Sequence, residues 1–193
     1  LLAKGSDVHL ISSGHITVGG KLDVHASPAD EYDAGRLFIG ARGDVVIDGN
    51  IVRADGGSSG GTVTVRALGD LHIDTPVHAF GTIGGEINLQ ADNITIDREL
   101  DVRSDGSNAA GRLRLAARQD LTLGHIILDM NGVTACKAYL YAGGSITSDA
   151  TIRANGTRAS TSVLPGNGGI VHVRAMSNLA LDGMISANGA NPD

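Results

Sequence analysis

Tryptophan is absent from this chain, and the other aromatics are only Phe38, Phe80, Tyr32, Tyr139 and Tyr141. A 193-residue chain so composed must build its interior from aliphatic side chains. Cys136 is the single cysteine, so no internal disulfide staples the fold. No run of apolar residues approaches the length of a membrane-spanning helix, so membrane insertion by a helix is not expected. Positive charge is also short: the formal net charge is −6, which argues against a nucleic-acid partner while permitting cations or basic surfaces.

Glycine is plentiful, with 28 residues, and it punctuates a repeat. In Gly111 to Leu123, Leu113, Leu115 and Ala117 alternate with Arg112, Arg114 and Ala116, and Leu121 and Leu123 then flank Thr122. Period-two alternation broken by a short turn reads as two strands, each with one buried face. The pair Leu113/Leu115 has counterparts in Val8/Leu10, Leu37/Ile39, Val63/Val65, Ile87/Leu89, Ala138/Leu140 and Val171/Val173. Two residues after each pair stands a small residue: Ser12, then Ala41, Ala67, Ala91, Ala117, Ala142 and Ala175. A position that must be small and apolar points inward where a strand turns a tight corner. A third strand starts at Leu22, Ile51, Val77, Leu100, Ile127, Ile152 and Ile185, often ending in Asp-Gly or Asn-Gly, as at Asp55, Asp105, Asn131, Asn155 and Asn188. Glycine there is expected to supply positive φ.

Equivalent positions 6, 35, 61, 85, 111, 136 and 169 give coils of 29, 26, 24, 26, 25 and 33 residues. Periods of this size with one supersecondary unit each mean a solenoid. The expectation is an all-β fold: a parallel β-helix of seven coils, three short strands each, right-handed by the preference of parallel crossovers. A hairpin sandwich or barrel also gives short strands at regular spacing, but it does not call for an alanine column. Seven coils stacked at about 4.8 Å make a rod roughly 30 to 35 Å long. Neither end shows a polar capping repeat, so residues 1–193 are expected to be one segment of a longer solenoid or a unit that stacks end to end. Residues 26–34 and 157–168 lengthen the same corner in two coils and are the first choice for a binding loop, although they equally suit tolerated surface slack.

Stacking turns outward positions into columns. After the second strand come Asp48, Asp74, Asp97, Asp149 and Asp182, with Gly19 and Gly124 in the same column. Carboxylates in pairs are what Ca²⁺ takes, so this is the candidate cation column; the plainer account is that Asp forms turns where strands end. Just before the second strand come His15, Asp44, Asp70, Asn93, Asp120, Ser145 and Asn178. Arg36, Arg42, Arg66, Arg112, Arg114, Arg118, Lys137 and Arg174 project from the first strand or its corner, a side that could pair rod against rod, hold an anionic glycan or simply be solvated. Thr17, Thr95, Thr122 and Thr147 share a column, but Val46, His72 and Ala180 break it, and ice binding would need a second one. The seven histidines have no metal-ligand spacing, and no nucleophile elbow or Ser-His-Asp set is present.

Residues 43 to 57, Gly-Asp-Val-Val-Ile-Asp-Gly-Asn-Ile-Val-Arg-Ala-Asp-Gly-Gly, and 167 to 175, Asn-Gly-Gly-Ile-Val-His-Val-Arg-Ala, resemble the repeats of filamentous-haemagglutinin-like exoproteins, the long bacterial β-helical adhesins. The likeness runs through all seven coils as Gly-led aliphatic strands, a mid-coil Ala and an Asn-Gly or Asp-Gly corner. It implies a structural or adhesive rod, secreted or on the bacterial cell surface, whose partners are further coils, end-to-end copies or host and matrix glycans. A polysaccharide lyase or hydrolase, or a carbohydrate-binding module, is the alternative. It would draw on Asp48, Asp74 and Asp97. No catalytic residue and no resident cofactor other than Ca²⁺ is expected.

Overall fold

The computed structural model describes residues 5–26, 33–104, 111–133, 136–156 and 166–190. Within them the chain is all-β: twenty-one strands in three parallel sheets of seven. Each sheet takes every third strand, so the chain visits the three sheets in turn and climbs one strand spacing per circuit. The first sheet contains Val8–Ser12, Arg36–Ala41, Thr62–Ala67, Glu86–Ala91, Arg112–Ala117, Lys137–Ala142 and Ile170–Ala175. The second contains strands of three residues, such as Ile94–Ile96 and Leu121–Leu123, and the third contains strands of two or three, such as Leu100–Asp101 and Ile127–Asp129. This is a parallel β-solenoid.

The register is the one the repeat predicts. Ile87 lies against Leu113 and Leu113 against Ala138; Leu89, Leu115 and Leu140 align likewise. Inward side chains therefore stack like on like, and among the described residues the interior is a single cluster of aliphatic side chains with Met130 and Cys136 and no aromatic ring. Ala41, Ala67, Ala91, Ala117 and Ala142 are buried in one column, and Ala175 is partly buried against the same cluster. Each closes its strand, and the two residues after it bend away. A larger side chain there meets the turn of its own coil and the alanines above and below. Ala117→Leu should destabilise the fold by about 1–3 kcal/mol through overpacking, measured by urea unfolding.

Coils also meet at a second narrow column, Gly35, Gly61, Gly85 and Gly111, where each new coil opens. A Cβ on Gly61 would stand 2.1 Å from the Gly35 carbonyl oxygen, and one on Gly111 would stand 2.2 Å from that of Gly85. Close approach, not backbone angle, requires glycine here. The same correction applies at the Asp-Gly and Asn-Gly corners. Among the described residues the one glycine with positive φ is Gly5, at 59°. Gly56 is needed because a Cβ would lie 2.0 Å from the Ser59 carbonyl oxygen. Cys136 stands in the opening column in place of glycine and is buried; burial pushes its thiol up to about 11, which leaves it unreactive near neutral pH. Of the two long corners, residues 27–32 and 157–165 lie outside the described residues, as do Asp105 and Gly106.

Candidate functional site

The polar columns are the first place to look for chemistry. At the corner between the first and second sheets, one ladder of backbone hydrogen bonds has ended and the next has not begun. The N–H groups stranded there are taken by side chains from the preceding coil. Asp44 N–H donates to His15 Nδ1 (2.9 Å), Asp70 N–H to Asp44 Oδ1 (2.9 Å), and Asn93 N–H to Asp70 Oδ1 (3.3 Å). Asp120 N–H then donates to Asn93 Oδ1 (3.1 Å) and Ser145 N–H to Asp120 Oδ1 (2.6 Å). Only an acceptor on a short side chain can do this, which explains Asp, Asn or His at these positions. Replacing Asp70 by Ala should cost about 1 kcal/mol, whereas Asp70→Asn should cost a few tenths at most, because the amide oxygen keeps the bond. Urea unfolding of the two variants checks it; equal losses would mean that the charge, not the acceptor, matters.

The candidate cation column lies one corner further on. Asp48, Asp74, Asp97, Asp149 and Asp182 follow one another at one per coil, each N–H donating to a second-strand carbonyl of the coil before, as from Asp74 to Ile47 and from Asp97 to Ile73. Asp74 is paired with Arg98 (Nε–Oδ1 2.7 Å), and Asp97 faces His72 at 3.7 Å. Gly124 interrupts the column, and Asp97 Oδ1 lies 2.9 Å from where its Cβ would be. Among the described residues, no three His, Cys, Asp or Glu side chains come together as a metal-binding set.

The third sheet carries polar residues that the sequence reading missed. Asp23, Asp101 and Asp129 point outward from its strands yet are buried, as is Asp55 two residues past its own strand. Their cause lies in the backbone. In parallel pairing the N–H of Phe80 would donate to the carbonyl of Ala54, but that carbonyl already accepts Gly61 N–H (2.6 Å), the hook that opens the next coil. Gly85 takes Ala79, Gly111 takes Val102 and Gly169 takes Ala154 in the same way. The N–H groups left over are satisfied by Asx oxygens. Asp55 Oδ1 accepts Phe80 N–H (3.2 Å), Asp101 Oδ1 accepts Arg103 N–H (3.0 Å), and Asp129 Oδ1 accepts Asn131 N–H (3.1 Å). Asn131 and Asn155 serve Asn155 and Asn188, both at 2.9 Å.

Gathering these carboxylates has an electrostatic consequence. Asp101 and Asp129 are register partners on adjacent strands, with His78 on the other side of Asp101. Burial raises the Asp101 carboxyl to about 6, helped by the Asp129 charge and opposed by the Arg103 N–H and guanidinium and by His78. Burial raises Asp55 as well. Burial pushes Asp23 in the same direction, but hydrogen bonds from Lys21 and His25 outweigh it and leave that carboxyl lowered. A raised carboxyl beside another carboxylate is the electrostatic pattern of a general acid. Asp101 is 1% exposed, however, and reaches no substrate.

Exposed chemistry lies on the outward faces. All eight basic residues of the first sheet and its corner are exposed. Arg118 binds Asp92 (2.6 Å) and the Leu68 carbonyl (2.8 Å). Arg112, Arg114, Lys137 and Arg174 have no ion-pair partner among the described residues. Tyr139 and Tyr141 stand among them, and the Tyr139 ring stacks on His172 with centroids 5.2 Å apart and planes 2° from parallel. The broken threonine column stacks in the register expected, Thr95 between His72 and Thr122. Between the second and third sheets an open groove is lined by Asp97, Arg98, Glu99, His125, Ile127 and Thr151. Comparison with protein families, with curated proteins and with solved structures found no match.

Proposed function

We propose that this chain is a length of structural, adhesive rod from a secreted or bacterial cell-surface exoprotein, acting by extension and stacking. The observation that carries the reading is the state of the last strands. Leu179, Leu181 and Ile185 are 49%, 37% and 43% exposed. They stack in register on Ile146, Ser148 and Ile152, and their counterparts Leu121, Leu123 and Leu128 are buried. A second copy of the same shape, stacked end on, would cover these side chains and the free edges of three sheets. The Asx columns support the reading too, because their oxygens accept backbone N–H groups of the next coil and so tie the stack together. So does the resemblance of residues 43 to 57 and 167 to 175 to the adhesin repeats.

Sedimentation velocity over a range of concentrations, with electron microscopy of the same samples, tests it. End-on oligomers growing with concentration are the expected result. A monomer at every concentration would overturn stacking.

The groove at Asp97 favours a second reading, a polysaccharide lyase or hydrolase. Two carboxylates, an imidazole and a guanidinium in one open depression are the groups such an enzyme would use. Turnover of an acidic polysaccharide, abolished by Asp97→Asn, would establish it in place of the rod.

A further inference from the structure

We infer that the outward face of the first sheet around Tyr139 and Tyr141 binds an anionic polysaccharide bearing sulfate or carboxylate groups. The inference rests on the reading of the chain as an exposed rod and names what that rod would hold. Three adjacent strands, Arg112–Ala117, Lys137–Ala142 and Ile170–Ala175, are in direct register here. Their outward positions form a three-by-three array: Arg112, Arg114 and Ala116; then Lys137, Tyr139 and Tyr141; then Ile170, His172 and Arg174. No acid occupies it. Glu86, the register partner of Arg112, stands on the neighbouring strand, and Arg118 holds Asp92 at the corner of that strand.

The two tyrosines are the unusual members. In a chain with five aromatic residues, these two stand at 37% and 40% exposure on a flat sheet, not in the core. Tyr139 is held by the His172 stack on one side, with Arg114 as its register neighbour on the other. Tyr141 has Ala116 as one register neighbour and Arg174 as the other. Ala116, the register neighbour of Tyr141, presents only a methyl group on that side of the ring. A pyranose laid there would place its apolar C–H face on the ring while guanidinium groups meet its acidic substituents. Arg112 and Lys137 follow each other along the axis at the strand spacing of about 4.8 Å, while Arg114 and Arg174 lie diagonally on either side of the tyrosines, so a chain crossing the array obliquely meets a cation on each of the three strands.

A nucleic acid could meet the same array, but the molecule as a whole disfavours it. Duplex DNA carries one charge per about 1.7 Å, and a body of net charge −6 repels so dense a polyanion. A polyuronate or a sparsely sulfated glycan has far lower charge density and is repelled less.

Calorimetric titration of the whole chain with alginate and with chondroitin sulfate, at low and high salt, tests the inference. Neutral dextran and a single-stranded oligonucleotide are the comparators. Binding of at least one anionic polysaccharide that weakens with salt is expected, and Tyr141→Ala should reduce it by about tenfold. Arg114→Glu should abolish binding, while Arg42→Glu, at a corner of the same sheet and outside the array, should leave it within about twofold. Circular dichroism confirms that each variant keeps its β signal. No binding by either polysaccharide, equal losses for Arg42→Glu and Arg114→Glu, or tighter binding of the oligonucleotide would each overturn the inference. Sedimentation of the unliganded chain reports separately on the rod, so failure of binding and failure of stacking are distinguishable.

Discussion

Asp101→Asn should make the protein more stable at pH 8, by up to about 3 kcal/mol, and should flatten its stability between pH 4 and 7. The folded pKa of about 6 lies above the ordinary 3.8. The folded state therefore holds a proton through a window in which the unfolded chain has lost it. The stabilisation linked to that proton is complete below about pH 4 and is lost as pH rises through about 6. Above that, folding confines a charge at a buried position beside Asp129. An asparagine keeps the Oδ1 that accepts Arg103 N–H and removes the charge. It gives up the contact between Arg103 Nε and Asp101 Oδ2 at 3.3 Å, a loss of less than about 1 kcal/mol because the arginine is half exposed. Asp55 is raised in the same direction, so the variant should retain part of the slope. Asp23, lowered, contributes in the opposite sense, with stability that falls only as pH drops through its own folded pKa. Urea unfolding at pH 5 and pH 8 measures both proteins. A variant less stable than the parent at pH 8 would show that Asp101 is held there as a needed anion.

That carboxylate was legible in the sequence only as an outward residue on a short strand. The repeat itself was plain, because Leu115 and its counterparts recur with alanine two residues on, and this fixes register as well as strand type. The corner chemistry was read from the wrong partner. In Asp55-Gly56 the glycine drew attention for a positive φ it does not adopt, whereas the aspartate holds the N–H of the next coil. The reason is geometric. A carbonyl diverted to the following turn strands an amide about twenty-five residues later, and no local pattern records that event. The columns were visible one by one, but whether Asp70 binds an ion or a backbone amide depends on the height of the coil above it. The basic side was legible as charge, yet Tyr139 and Tyr141 were counted only as scarce aromatics. Their exposure follows from alternation with Ala138, Leu140 and Ala142, which the core claims.

Leu123→Ala and Leu181→Ala should differ by several kcal/mol although both remove the same side chain from the same column. Leu123 closes the strand Leu121–Leu123, stacked in register between Ile96 and Ser148, and is buried. Truncating it should cost about 2–5 kcal/mol, the lost transfer energy plus the cavity left behind. Leu181 has Ser148 below it and no described residue above, so its truncation should cost less than about 1 kcal/mol in the monomer. Solenoid stability is close to a sum of neighbour terms, and a coil covered on one side has only half of them. The comparison also bears on stacking. If a second copy covers the last strands, the cost of Leu181→Ala should rise with protein concentration, since truncation then removes contacts across the junction, while the cost of Leu123→Ala should stay fixed. Thermal unfolding of both variants at low and high concentration measures this. A Leu181→Ala cost that stays small at concentrations where the parent sediments as oligomers would place the junction elsewhere on the molecule, and the exposed leucines would no longer account for assembly.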